Sequence, residues 1–207
     1  MNTHYPKKGA PVFDQEGSKK RRDISGHGLK VEVQAVLTDQ DNNVVRRYPW
    51  KRANSLLKQF IQLLTVQLSQ TNQTIKKTNG VDQAGGVYAS NFACNADADL
   101  TLIGIVIGTG ITPVTMTDYK LQTQVTTNIA HAAVSFAVEN PDTSTWRIAI
   151  TRGFTNNTGA TLSVKEVGLY VFFTASSYVV CADRTLYAVD VPSGVTLTLT
   201  YRITVSL

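Results

Sequence analysis

The residues of this 207-residue chain that could carry chemistry are few and scattered. Gly108-Thr-Gly110 follows an apolar run, as the opening of a dinucleotide-binding fingerprint would. The third glycine is missing, however, and Pro113 stands where the helix that cradles a pyrophosphate should begin. No lysine-bearing phosphate loop comes after it, so the two glycines read as a tight turn. His4 and His27 fall in a polar leading stretch and His131 precedes a candidate strand. Each lacks the second histidine, cysteines or paired carboxylates that metal sites and catalytic triads require. Asp97 and Asp99 stand two apart in a polar segment, too sparse a ligand set for calcium, and read as a solvated loop. Cys94 and Cys181 have no CxxC spacing and no neighbouring histidine, which favours two free thiols over a zinc site or a disulfide framework. Asn72-Gln-Thr74 and Asn156-Asn-Thr158 fit the glycosylation pattern, which has meaning only in a secreted chain. With no Ser/His/Asp set and no carboxylate pair to be picked out by spacing, the expectation is a protein that is not an enzyme and takes no cofactor.

Charge is concentrated at one end. The chain carries a net +5, and residues 1–28 hold six Lys/Arg against three Asp/Glu. Residues 29–207 are therefore close to neutral, which argues against a broad nucleic-acid-binding face, where a basic surface supplies most of the affinity. The dense cluster Lys19, Lys20, Arg21 and Arg22 reads first as a solvated run; it has no interleaved aromatic residue to stack bases, so as a contact an acidic protein surface outranks nucleic acid. Carbohydrate is the other partner class to weigh, through Trp50, Tyr119 or Trp146. Trp146 alternates with Ile148 and Ile150 and reads as core, and Trp50 follows Pro49 at a strand end. Tyr119 is then the expected exposed stacking surface.

These residues must be held by a β-rich framework. Hydrophobic residues make up 43% of the chain and charged ones 17%, below the roughly 25% usual for globular proteins. The abundance of Thr and Val favours strands, because β-branched side chains suit a pleated, half-buried surface. Residues 1–28 are punctuated by Pro6, Gly9, Pro11, Gly17 and Gly26 and read as an extended basic N-terminal arm. Its apolar anchors for a neighbouring chain are Val12, Phe13 and Ile24, with Lys19 to Arg22 adding charge. Residues 29–207 then form one β-sandwich domain. Leu29, Val31, Val33, Ala35 and Leu37 alternate with polar residues as a half-buried strand, and the turn-tolerant run Asp39 to Asn43 lets Val44 to Tyr48 return as a hairpin.

Residues 54–70 read as an amphipathic helix, with Leu56, Leu57, Phe60, Ile61, Leu64 and Leu68 on its apolar face and Asn54 or Ser55 as its cap. Lys58, Gln59, Gln62 and Gln67 fill the opposite face. Residues 71–99, rich in Asn, Gln, Gly, Ala and Asp, read as a long loop, which is unusual in a compact domain unless it reaches a partner. Strands are expected at 100–107, 132–139, 145–154, 162–173, 178–183, 186–191 and 195–207. Turns separate them at Gly108-Thr-Gly110, Asn140-Pro-Asp142, Asn156 to Gly159 and Pro192-Ser-Gly194. Short strands with regular turns and no intervening helices point to an antiparallel β-sandwich or jelly-roll-like domain. No apolar run is long enough to span a bilayer and the leading residues lack the apolar region of a secretory signal, so the chain is expected to be made and kept in the cytoplasm until assembly, with no membrane partner.

The second half resembles small structural proteins of tailed bacteriophages. Leu102-Ile-Gly-Ile-Val-Ile-Gly-Thr-Gly110 followed by Asp118 and Leu121 is similar to that family's glycine-turn opening and its D-x-x-L continuation. Asn157-Thr-Gly159 followed by Lys165-Glu-Val-Gly-Leu169 is similar to its core hairpin. Arg184, then Val189 to Gly194, then Tyr201 and Ile203 to Leu207 resemble its closing segment. The resemblance covers about residues 100–207. It implies a β-sandwich virion component without enzymatic activity, present in several copies in a tail, neck (collar) or capsid-surface position, and in contact with itself and with other virion proteins.

Overall fold

A computed structural model describes residues 28–53, 57–69, 72–85, 92–172 and 178–206. The protein is mainly β, with two antiparallel sheets packed face to face. Its strands are β1 (Gly28–Thr38), β2 (Val44–Arg47), β3 (Lys51–Arg52), β4 (Gln73–Lys76), β5 (Asp82–Gly85), β6 (Gly104–Gly108), β7 (Ile129–His131), β8 (Ser135–Asp142), β9 (Thr145–Asn156), β10 (Leu162–Phe172), β11 (Val179–Val191) and β12 (Thr196–Ser206); the helix α1 is Lys58–Ser69. The large sheet runs β2-β1-β12-β9-β7, with β3 also on β1 and β8 also on β9, and the small sheet runs β11-β10-β6.

The alternation in β1 and β12 works as it must when one face of a sheet is buried. The two strands pair without a slip from Gly28↔Ser206 to Thr38↔Thr196. Val33, Ala35, Leu197, Leu199 and Tyr201 point inward together and are fully buried against Ile105, Val164, Val167 and Val180 of the small sheet. Asp183, between the sheets, accepts the hydroxyls of Tyr201 and Thr185 at 3.0 Å each. The expected turn after β1 is present: Asp39 accepts the amides of Asp41 and Asn43, and Asn42 takes a left-handed φ of 64°.

The small sheet is buried on both faces. Its inner face meets the large sheet, and its outer face, with Val106, Tyr170, Val179 and Cys181, packs under Leu57, Ala96 and Leu121. That double coverage explains why Val164 and Glu166 to Val171 form a nearly continuous buried run rather than an alternating one.

Several sequence expectations are corrected. The helix begins at Lys58, and its buried side is Gln59, Leu63 and Val66, while Ile61 and Leu64 are exposed. The helix is wedged between β11 and β4, with the Leu57 amide donating to the Ala182 carbonyl, and this fixes a rotation that periodicity alone does not. Asn54 and Ser55, the expected caps, lie outside the described residues. The expected loop at 71–99 contains the β4–β5 hairpin, closed by Thr78-Asn-Gly80 with Gly80 at φ 83°. The strand expected at 100–107 starts only at Gly104, which takes a left-handed φ of 82° after a bend at Leu102-Ile103. The strand expected at 132–139 starts only at Ser135, as β8, and a separate short strand, β7, precedes the expected range; the two expected at 178–183 and 186–191 are one strand, β11, with irregularities opposite Val164/Glu166 and Leu169/Tyr170. Asn140-Pro-Asp142 lies within an irregular part of β8 rather than at its turn. The chain reverses at Thr143-Ser144, where Asp142 accepts the Ser144 amide at 2.9 Å.

Candidate functional site

A buried carboxylate costs several kcal/mol unless charge and hydrogen bonds compensate it. Glu166, on the outer face of β10 and fully buried, has both. Its Oε1 accepts the amides of Gly110 (3.1 Å) and Thr123 (2.8 Å), and its Oε2 accepts the Gln122 amide (3.1 Å) and Arg184 Nε (2.7 Å). Arg184 comes from the neighbouring strand β11, two pairs along, opposite Gly168. Its Nη1 donates to Asp118 Oδ2 at 2.7 Å, and its Nη2 donates to the Thr112 carbonyl and hydroxyl at 3.1 and 3.2 Å. Asp118 is aimed by its own turn, accepting the Thr115 amide and hydroxyl.

The glycines are explained by this cluster. A Cβ on Gly108 would lie 2.7 Å from Glu166 Oε1, and one on Gly110 would lie 2.5 Å from it and 2.4 Å from the Gln122 Cβ. A Cβ on Gly168 would press on Leu121 at 3.0 Å and the Asp183 carbonyl at 3.1 Å. Leu121 is held over Gly168 because its amide donates to the Tyr170 hydroxyl at 2.6 Å. Segment 108–124 is thus strapped across the outer face of the small sheet by side chains of β10 and β11.

Electrostatics follow from this geometry. Burial works against the Arg184 charge, yet the bonds to Glu166 and Asp118 prevail and raise its pKa above the ordinary value. Burial likewise opposes ionisation of Asp118, but the Thr115 amide and the Arg184 guanidinium together hold it below the usual carboxylate range. Tyr170 is pushed upward, mainly by burial. Both oxygens of Glu166 are occupied by donors and the guanidinium is spent on three acceptor residues, so the cluster acts as a latch between strands and strap.

An open groove of about 490 Å³ borders the latch, lined by Thr112, Asp118, Tyr119, Lys120 and Gln122. Tyr119, expected to be exposed, is half-buried there, with the Lys76 and Lys120 ammonium groups 5.6 and 5.9 Å from its ring. His131 is buried edge-on against Phe154, and burial, then the nearby Arg152 charge, lower its pKa. Asp97 is exposed, whereas Asp99 accepts the His131 amide at 3.0 Å and is therefore a turn residue and not simply a solvated one. Cys94 and Cys181 are free and buried, and burial pushes the Cys94 thiol up to about 11. Trp50 is half-buried under Arg202, 4.3 Å from its ring. Trp146 corrects the sequence reading: it is 56% exposed, because the small sheet does not extend far enough to cover it. The arm residues Val12, Phe13, Lys19, Lys20, Arg21, Arg22 and Ile24 lie outside the described residues.

Sequence reasoning singled out Glu166 and Arg184 for their resemblance and missed that they meet. The available signal was a carboxylate inside the apolar run Val164 to Phe172, since a charge in a buried strand must find a partner. A second residue it missed is Arg152, 1% exposed on the inner face of β9. It donates to the carbonyls of Ala132, Ile103, Ile105, Leu100 and Asp97 at 2.6–3.4 Å, tying the large sheet to the chain entering β6.

Comparison with known proteins returned no matching family model, no matching curated protein and no matching solved structure.

Proposed function

We propose that this chain is a non-enzymatic structural subunit of a tailed-phage virion, placed in the tail, neck or head surface, that assembles into a symmetric oligomer and contacts neighbouring virion proteins. The observation that carries this reading is the convergence of the resembling residues. Gly108, Gly110, Asp118, Leu121, Glu166, Gly168 and Arg184 come from four separated stretches of sequence and meet in one latch. Each requires another: the glycines make room for the carboxylate, the carboxylate neutralises the guanidinium, and the guanidinium holds the aspartate. Short motifs that are unspecific singly therefore act as one structural unit in this chain, which is the reason for reading them together. Imaging of particles that carry a labelled copy of this chain, with mass photometry of the purified protein, tests the proposal. Regular, multi-copy density in the particle is expected, and a permanent monomer absent from any particle overturns it.

The groove beside Tyr119 favours a second reading, a carbohydrate-binding module for host attachment, because it places an aromatic ring beside Asp118, Gln122 and Lys120. Under that reading, glycan-array binding survives removal of residues 1–27 and is lost in Tyr119→Ala. Absence of binding by the full chain rejects it.

A further inference from the structure

The inner face of the large sheet is longer than the small sheet that covers it. Along β1 exposure rises from 0% at Val33 to 9% at Val31 and 52% at Leu29. Along β9 it rises from 4% at Ile150 to 45% at Ile148 and 56% at Trp146, and along β12 from 0% at Tyr201 to 51% at Val205. On β8, Phe136 and Val138 are 49% and 70% exposed. The pairings Leu29↔Val205, Val205↔Trp146, Ile148↔Val138 and Ile150↔Phe136 set these side chains next to one another on the same face of four consecutive strands.

Roughly half of each of the six exposed side chains faces solvent, on the order of 600 Å² in one continuous surface, at the upper end of what monomers expose. A standard protein interface buries about 800 Å² per partner, so this surface with a rim of ordinary width reaches that size. Among the described residues, this uncovered end of the face carries no charged side chain. Lys30, Glu32, Glu139, Arg147 and Arg202 alternate to the opposite face, where Lys30 pairs with Glu32 and Arg202 with Glu139. A surface without charge can meet its own copy about a two-fold axis without burying like charges against each other. β8, at the margin of this face, is hydrogen-bonded to β9 on one side.

We propose that the uncovered end of the large sheet, built from Leu29, Phe136, Val138, Trp146, Ile148 and Val205, is the site where a second copy of this chain docks, face to face, with Trp146 as the central anchor. Its area and its lack of charge select a second copy over a partner recognised through ion pairs. The proposal rests on the structural-subunit reading and specifies which surface makes its oligomer.

The test compares full-length protein with Trp146→Glu, with Val138→Lys and with Thr151→Glu on the opposite face of β9, by sedimentation velocity and by incorporation into particles, with circular dichroism and thermal melting of each. The full chain is expected to sediment as a dimer or larger even multiple. Trp146→Glu and Val138→Lys should weaken self-association by about 100-fold or more with the melting profile retained, whereas Thr151→Glu should not. Self-association unchanged by both face variants overturns the proposal and leaves the virion reading standing. A monomeric full chain overturns it too. Two further readouts then identify the occupant: increased binding of a hydrophobic dye after removal of residues 1–27 assigns the face to the arm, and loss of particle incorporation in Trp146→Glu assigns it to another virion protein. Self-association through this face in a protein absent from every particle supports the docking site and rejects the virion reading.

Discussion

Replacing Glu166 with Gln removes one charge from the latch while keeping its shape. Each carboxylate oxygen receives two donors, the Gly110 and Thr123 amides on one and the Gln122 amide and Arg184 on the other. A glutamine amide therefore turns an NH2 toward two N–H donors whichever way it sits, and Arg184 is left with Asp118 as its neutralising partner. Removing one member of a buried ion pair costs about 3–5 kcal/mol. That is a large part of the roughly 5–15 kcal/mol by which a domain is stable. With about 2–4 °C of melting temperature per kcal/mol at this chain length, the midpoint should fall by about 10 °C. Thermal melting followed by circular dichroism measures that fall, and urea denaturation followed by tryptophan fluorescence measures the free energy, its midpoint dropping with the slope unchanged. Gly110→Ala should cost about 1–3 kcal/mol by forcing the same carboxylate aside, and the two substitutions together should cost less than their sum. Glu166→Gln within about 1 kcal/mol of the parent, or strict additivity with Gly110→Ala, would refute the view that these groups act as one unit.

Arg152→Met should lower stability by about 2–4 kcal/mol, because the buried carbonyls lose their shared donor, and hydrogen exchange should quicken in residues 97–105. His131 has a lowered pKa in the folded protein, so the unfolded chain takes up the proton at higher pH. Its contribution is complete above about pH 6.5 and is lost as pH falls through the folded value. Melting followed between pH 7 and 5 should show that decline, which His131→Gln should reduce. Removing residues 1–27 should leave stability within about 0.5 kcal/mol, since the first buried residue of β1 is Val31, while lowering incorporation into particles.

What could be read from the sequence was whatever depends on a chain segment and its own two faces. β1 and β12 were legible because one face is core along most of their length, and the Asp39 and Pro192 turns were legible through their own chemistry. Asn79-Gly80 carried a hairpin signal that the polar composition around it obscured. What depends on the extent of an opposing layer was not legible. Trp146, Ile148 and Ile150 share a face, but only the reach of the small sheet decides that Ile150 is buried and Trp146 is not. The helix was read with Leu57, Phe60, Ile61 and Leu64 on one apolar face, but its neighbours bury Leu63 and Val66 and leave Ile61 and Leu64 exposed. The latch was half legible: its residue types stood in the resembling motifs, but Asp118, Glu166 and Arg184 meet only through the strap crossing β10 and β11.

The pairing of β1 with β12 also sets an order of events. Thr38 lies opposite Thr196, 158 residues further along the chain. At about 5–20 residues per second on a ribosome, roughly 10–30 seconds pass between the synthesis of the first central strand and that of its partner. For most of that interval, until β10 and β11 have been made, the inward side of β1, Val31 to Leu37, has the short strands β2 and β3 beside it and no complete small sheet below. A chain stopped before Thr196 would keep the backbone edge of β1 that β12 pairs with open indefinitely. Non-local closure of this kind makes folding slow and places the hazard of misassociation early in the chain's lifetime, well before any question of where the finished subunit is installed.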